Sequence, residues 1–243
     1  MVRRVVSWIA AVLCLSAACA HGEAINLSWN NCASGPNAAD DLTFACDDES
    51  KVMVLVGSFI APAGIGQFIG LEASIQVLTD SGLPDFWQLG TDGCRSTSGT
   101  PQFAFPGMSG CTTPWNTQTL GFWDYSNHDP TVPPGRGHMR VDAVRPANQA
   151  LQLAAGREYY AFQMKITMDE LTTCQGCRDP ACFVLNSITL YQPSDIADPS
   201  VITNPATRNY VTWQGGGSGS GCTAAGAKTT KKMTWGQIKG RYR

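Results

Sequence analysis

Residues 153–191, LAAGREYYAFQMKITMDELTTCQGCRDPACFVLNSITLY, decide the fold class. From Tyr160 to Met168 the even positions Tyr160, Phe162, Met164, Ile166 and Met168 are apolar, and Gln163, Lys165 and Thr167 lie between them. A period of two is the mark of a half-buried β-strand. The loop that follows holds Cys174, Cys177 and Cys182 around Gly176 and Pro180, and residues 183–191 resume a β-branched, aromatic-rich run. Two strands around a cross-linked loop predict a hairpin.

The same reading extends upstream and downstream. Residues 52–60 (VMVLVGSFI) are apolar on both parities, as in a central strand covered on both faces. Residues 69–77 alternate, with Ile69, Leu71, Ala73, Ile75 and Val77 apolar; with its predecessor this strand predicts an antiparallel pair. Residues 25–30, 138–144 and 209–213 supply further strands; a short run stands at 102–105, and residues 121–125 with the Pro/Gly-rich 129–137 make a long irregular excursion before 138–144. With 43% hydrophobic and 15% charged residues, the chain has material for one sizeable core. Leu153-x-x-Gly156-x-x-Tyr159 is similar to the tyrosine corner of fibronectin-type and immunoglobulin-like sandwiches, which implies a Tyr159 hydroxyl turned back onto the preceding backbone. The expected fold is all-β: an immunoglobulin/fibronectin-like or jelly-roll antiparallel β-sandwich with disulfide-stapled loops.

Residues 1–24 read as an export signal, with Arg3 and Arg4 before the apolar run 5–15 and small residues at Ala18 and Ala20. Cleavage after Ala20 or Ala24 fits, and Cys19 leaves a lipoprotein reading open. The sandwich domain is expected over 25–213, a Gly/Ser-rich linker over 214–230 and a basic aromatic tail over 231–243. The apolar run is too short for a transmembrane anchor, so no membrane span is expected in the mature chain. The expected location is outside the cell or in its envelope.

Removing the leader leaves Cys32, Cys46, Cys94, Cys111, Cys174, Cys177, Cys182 and Cys222. An even number in an oxidising compartment predicts a disulfide framework. Loop size favours Cys32 with Cys46 and Cys94 with Cys111. If two of the three clustered cysteines pair with each other, the third is expected to reach Cys222 and tie the linker to the domain. Zinc at Cys174, Cys177, Cys182 and Cys222 is the competing reading.

Charge is distributed unevenly. Residues 25–216 carry 18 acidic and 9 basic side chains, whereas residues 217–243 carry six basic and no acidic ones. The acidic body shows no basic stripe of the kind nucleic acid requires. The segments C-x-x-C-x-D-P-x-C-x-V-L-N (174–186) and T-W-x-x-I-K-x-x-Y-R (234–243) together resemble exported bacterial proteins that join a sandwich-like domain to such a terminus. The resemblance implies an exported setting and no chemistry.

No G-x-S-x-G elbow or H-E-x-x-H pair is present, and neither a catalytic group, a metal site nor a cofactor is assigned. Asp40, Asp41, Asp47, Asp48 and Glu49 could hold Ca²⁺ only outside any EF-hand spacing, and His128 and His138 with Asp124 and Asp129 match no metal motif. Trp87, Trp115, Trp123 and Tyr125, set in loops among Asp85 and Asp124, are the candidate ligand-binding residues, because flat rings beside polar groups suit a sugar. The expected function is a non-catalytic exported binding protein, with polysaccharide or another envelope component as partner. Two alternatives stand: attachment through the basic tail, and a carboxylate-dependent glycoside hydrolase.

Overall fold

A computed structural model describes residues 22–216 except 34, 36, 81, 109, 128–135, 195 and 197, and also residue 222. Residues 1–21 of the expected export signal, residues 217–221 of the expected linker and the chain from 223 onward therefore lie outside the described residues, while Ala24, expected as the last residue of the signal, opens the first strand. Within them the chain is a sandwich of two sheets. Strands β1 (Ala24–Trp29), β3 (Val52–Ile60), β8 (Glu158–Thr167) and β5 (Gly99–Gln102) form an antiparallel sheet in the order β1-β3-β8-β5. The larger sheet runs β2 (Asp41–Leu42), β11 (Tyr210–Trp213), β9 (Ala181–Tyr191), β4 (Gly70–Thr79), β7 (Gly137–Val144), β6 (Leu120–Ser126), and β10 (Ser200–Ile202) adds to β9 beyond β11. Only β2 with β11 is a parallel pair among these.

The expected alternation sets the core. Leu71, Ala73, Ile75 and Val77 of β4 face inward with Phe183, Leu185, Ile188 and Leu190 of β9, against Ile25, Leu27 and Trp29 of β1 and Leu55 and Phe59 of β3. Strand β3 is central in its sheet and covered on both faces, as its composition requires. Its outward Val56 packs with Tyr160 beneath Phe105, Met108 and Cys111.

In β8 the expected parity holds from Phe162 to Met168 and fails before it. A register shift opposite Gly57/Ser58 inserts Ala161, so Tyr159 and Ala161 point into the core and Tyr160 points out. The Phe162 ring lies where a Cβ on Gly57 would stand, which is why β3 carries glycine there. The tyrosine corner is present: the Ala154 amide donates to the Tyr159 hydroxyl at 3.0 Å, and Gly156 takes φ +76.

Two expected pairings are corrected. Strands β3 and β4 lie in opposite sheets, and so do β8 and β9; neither couple is a hairpin. A period of two fixes which face of a strand is buried but does not say which neighbour supplies its hydrogen bonds. Here β3 and β4, and likewise β8 and β9, lie in facing sheets across the core. Residues 121–125, expected to be irregular, lie in the edge strand β6.

The disulfide pairing is also corrected. Cys32 joins Cys111, Cys46 joins Cys177, Cys94 joins Cys174 and Cys182 joins Cys222. Loop-closure entropy grows only logarithmically with length, so short separations in sequence were a weak guide beside the fold that brings the sulfurs together. No two of Cys174, Cys177 and Cys182 pair with each other, and all four sulfurs proposed for zinc are consumed in disulfides. Cys182 does tie Cys222 to the sandwich.

Candidate functional site

The aromatic residues expected to bind a ligand do not share a cleft. Trp87 sits in a single 3-10 turn, Asp85–Trp87, that drops it into the core with 0% exposure. Its ring meets Phe183 at 4.8 Å and Trp213 at 5.5 Å, both edge to face. Trp115 is 9% exposed and its Nε1 donates to the Ala161 carbonyl at 2.5 Å. Tyr125 points inward from β6 and donates its hydroxyl to the Trp87 carbonyl; burial pushes its pKa well above the ordinary phenol value.

Trp123 is half-buried, and its ring lies over Gly99 of β5 while Phe103 lies over Gly121 of β6. These reciprocal ring-on-glycine contacts close the seam where the edge strands of the two sheets meet. A side chain at either glycine would collide with the ring. Asp85 and Asp124 are exposed, Asp85 accepts from Gln88 Nε2 at 3.0 Å, and Asp124 faces outward on β6 opposite Arg140. Trp87, Trp115 and Tyr125 are thus wedges of the sandwich, and only Trp123 keeps part of its ring accessible.

The acidic loop is likewise spent on structure. Asp40 pairs with Arg208, Asp41 Oδ1 accepts from the Thr212 hydroxyl at 2.6 Å and the Gly215 amide at 3.0 Å, and Glu49 Oε1 accepts from the Leu171 amide at 3.0 Å. Asp48 accepts from Ser50, whose hydrogen bonds hold its pKa below the usual carboxylate value. Among the described residues no three His, Cys, Asp or Glu side chains stand where they could hold a metal ion. His138 Nε2 lies 2.9 Å from Ser74 Oγ, while His128 and Asp129 are outside the described residues.

Arg95 is a residue that sequence reasoning missed. It follows Cys94, and nothing in the composition around it signals that its guanidinium is fully buried. It stacks on Phe86 at 4.0 Å from the ring centroid and donates to the carbonyls of Phe86, Asp169 and Thr167. Desolvation lowers its pKa to about 10, against the opposing charge of Asp169, so it stays charged at neutral pH. Burial raises the Asp169 pKa, but hydrogen bonds from Ser98 and Thr167 and the Arg95 charge outweigh it and leave the carboxyl below its ordinary value. With Cys94–Cys174 alongside, this network locks the three-cysteine loop to the end of the small sheet.

The polar surface of the larger sheet was also missed. Its outward residues appear in the sequence only as the polar half of an alternation. Strand register places Glu72 between Thr189 and Asp142, and Ser74 between Ser187 and Arg140. Arg140 Nε donates to Asp142 Oδ2 at 3.1 Å. Tyr191 lies within electrostatic reach of Glu72 and Asp142, and burial followed by those two charges raises its pKa.

At one end of this surface Leu78, Cys182, Val184, Tyr210 and Cys222 form a small apolar cluster, so the disulfide that roots the tail is buried. A cavity of about 260 Å³ lies beside the Cys46–Cys177 disulfide, lined by Leu171, Gln175, Gly176, Arg178 and Asp179.

No protein-family model matches this chain, and no curated protein sequence does. Four disulfides fit a chain that matures in an oxidising compartment. No helix among the described residues is long and apolar enough to cross a membrane.

Proposed function

We propose that the protein is an exported, non-catalytic attachment module, in which the sandwich is a rigid body and the basic segment 231–243 engages an anionic component of the cell envelope. The observation that carries this reading is the Cys182–Cys222 disulfide. It anchors the last described residue to the start of β9, with Cys222 only 3% exposed, so the six cations beyond it leave from a fixed point on a cross-linked domain. A tethered segment reaches its partner at a raised effective concentration once the body is at the surface. Positive charge without acidic neighbours favours anionic partners.

Glycan binding through the loop tryptophans is the weaker reading, because two of the three rings are in the core. The test is fractionation of cells expressing the full chain or a chain ending at Thr223, which retains Cys222. The account expects the truncated protein to leave the envelope fraction and appear free; unchanged fractionation overturns it. The same secreted protein fixes the mature N-terminus: β1 begins at Ala24, paired with Ile60, so cleavage after Ala20 is expected because it leaves the strand whole.

A further inference from the structure

On the larger sheet, Glu72, Ser74, Asp142, Ser187, Thr189 and Tyr191 alternate with core residues and so point away from the interior. Each is nevertheless no more than 8% exposed. Low exposure on an outward face requires atoms above it. On the smaller sheet the corresponding cover is visible: Phe105 and Met108 lie over Val56 and Tyr160, Gln163 Nε2 donates to the Ala104 carbonyl, and the Cys32–Cys111 disulfide pins that loop down. On the larger sheet the described apolar contacts lie at the ends, with Cys222 among Leu78, Val184 and Tyr210 at one and Ile69 and Ala150 against Tyr191 at the other.

We propose that this face is a docking surface for the chain's own residues 223–243. Three properties select that occupant. The first is charge: Glu72 and Asp142 stand directly opposite each other across β4 and β7, with Asp124 nearby on β6 and Arg140 between them as counter-charge. Like charges in that position destabilise a strand pair. The tail brings six cations and no anion, and Trp235, Ile238 and Tyr242 for the partly exposed Phe122.

The second is origin. Cys222 is fixed by Cys182 on this same face, in line with Thr189 at a strand distance of roughly 23 Å. The third is length, since 21 residues reach roughly 70 Å when extended. The sheet then carries a second strap, polar and reversible, where the smaller sheet carries an apolar one. The docked tail keeps a surplus of positive charge, and the inference holds whether or not the tail also serves attachment.

The test uses the full mature chain with its disulfides intact. Tryptic cleavage at Lys228, Lys231, Lys232 and Lys239 is timed by mass spectrometry in the wild type and in Glu72→Gln/Asp142→Asn, at low salt and at high salt. Docking predicts wild-type cleavage at least about tenfold slower at low salt, with the protection lost in the variant and at high salt as charges are screened. Equal rates in both proteins overturn it. Protection that strengthens with protein concentration also overturns it, because the tail then occupies a second copy.

A measurement that leaves the sheet unaltered guards against misfolding of the variant. Hydroxyl-radical labelling of Phe122 and Tyr191 is compared in the wild type and in Lys231→Gln/Lys232→Gln/Lys239→Gln/Arg241→Gln/Arg243→Gln. Docking predicts at least about threefold more labelling in the variant, and unchanged labelling overturns it. Envelope fractionation is read separately, so a tail that docks without attaching, or attaches without docking, is recognised as such.

Discussion

The outer faces of the two sheets differ in chemistry: the smaller sheet sets an apolar patch beside the polar Asn26, Ser58 and Gln163, and the larger sheet is polar along its central rows. On the smaller sheet, Val56 and Tyr160 lie under Phe105 and Met108, and Cys32–Cys111 holds the cover. On the larger sheet the outward rows are Glu72, Ser74, Asp142, Ser187 and Thr189, and Cys182–Cys222 sits at the margin. An apolar cover extends the core and contributes to stability in every condition. A polar face contributes less to folding, depends on salt and pH, and is suited to recognition. In this molecule the first disulfide belongs to the fold and the last belongs to the tail.

The contrast is sharpened most by removing each disulfide. On the chain-entropy account, Cys32→Ser/Cys111→Ser costs about 4.5 kcal/mol, and also frees the apolar cover. Cys182→Ser/Cys222→Ser costs about 4 kcal/mol on the same account, with less packing lost. Denaturant melts of the two variants should rank in that order, and the reverse ranking breaks the comparison. Next in size, Tyr160→Ala should cost about 3 kcal/mol, because its buried ring packs edge-on against Phe105. Thermal melting at constant pH checks it.

The distinction between faces was legible in the sequence for one sheet only. The apolar outward positions of residues 52–60 announced a strand covered on both sides, and the cover was found. The polar positions of residues 70–76 read as the polar half of an alternation, and nothing in that pattern signals that Glu72 and Ser74 are buried. Most strand positions and the tyrosine corner at Leu153–Tyr159 were readable locally, whereas the tie to Cys222 was expected only if two of the clustered cysteines paired with each other, and Cys182 makes it although none of them do.

What was not readable depends on contacts distant in sequence. The pairing of β2 with β11, the three other disulfides and the bond from the buried Arg95 to Thr167 all join residues roughly 70 or more positions apart. A large ring near turns suits both a sugar site and a wedge between sheets, and in the structure Trp87 and Trp115 lie in the core while Trp123 is half-buried. The glycines that accept those rings, Gly99 and Gly121, were the signal for the second reading.

A pH series tests the larger sheet alone. The raised Tyr191 pKa means that the folded state keeps this phenol protonated after an unfolded tyrosine ionises at about 10. Stability must therefore fall as pH rises through and above that value, and Tyr191→Phe should flatten part of the fall. Tyr125, raised by burial at the core edge, contributes a similar slope that the substitution leaves in place. A variant that melts with an unaltered alkaline profile removes Tyr191 from the account.

The smallest effect is expected at Thr189→Ala, within about 1 kcal/mol, because a hydroxyl on an outward polar row adds little to the fold. A loss comparable to that of Tyr160→Ala erases the difference between the faces.

The proposed function has the tail, and not the aromatic loops, meet the partner. The direct measurement is retention of the purified, oxidised mature chain on isolated cell envelopes at low salt, compared with the five-site Lys/Arg→Gln tail variant and with Trp123→Ala. The tail variant is expected to lose at least about tenfold in retention while Trp123→Ala binds as the wild type does. Retention that survives neutralising the tail and disappears with Trp123, or that moves to neutral polysaccharide, contradicts it.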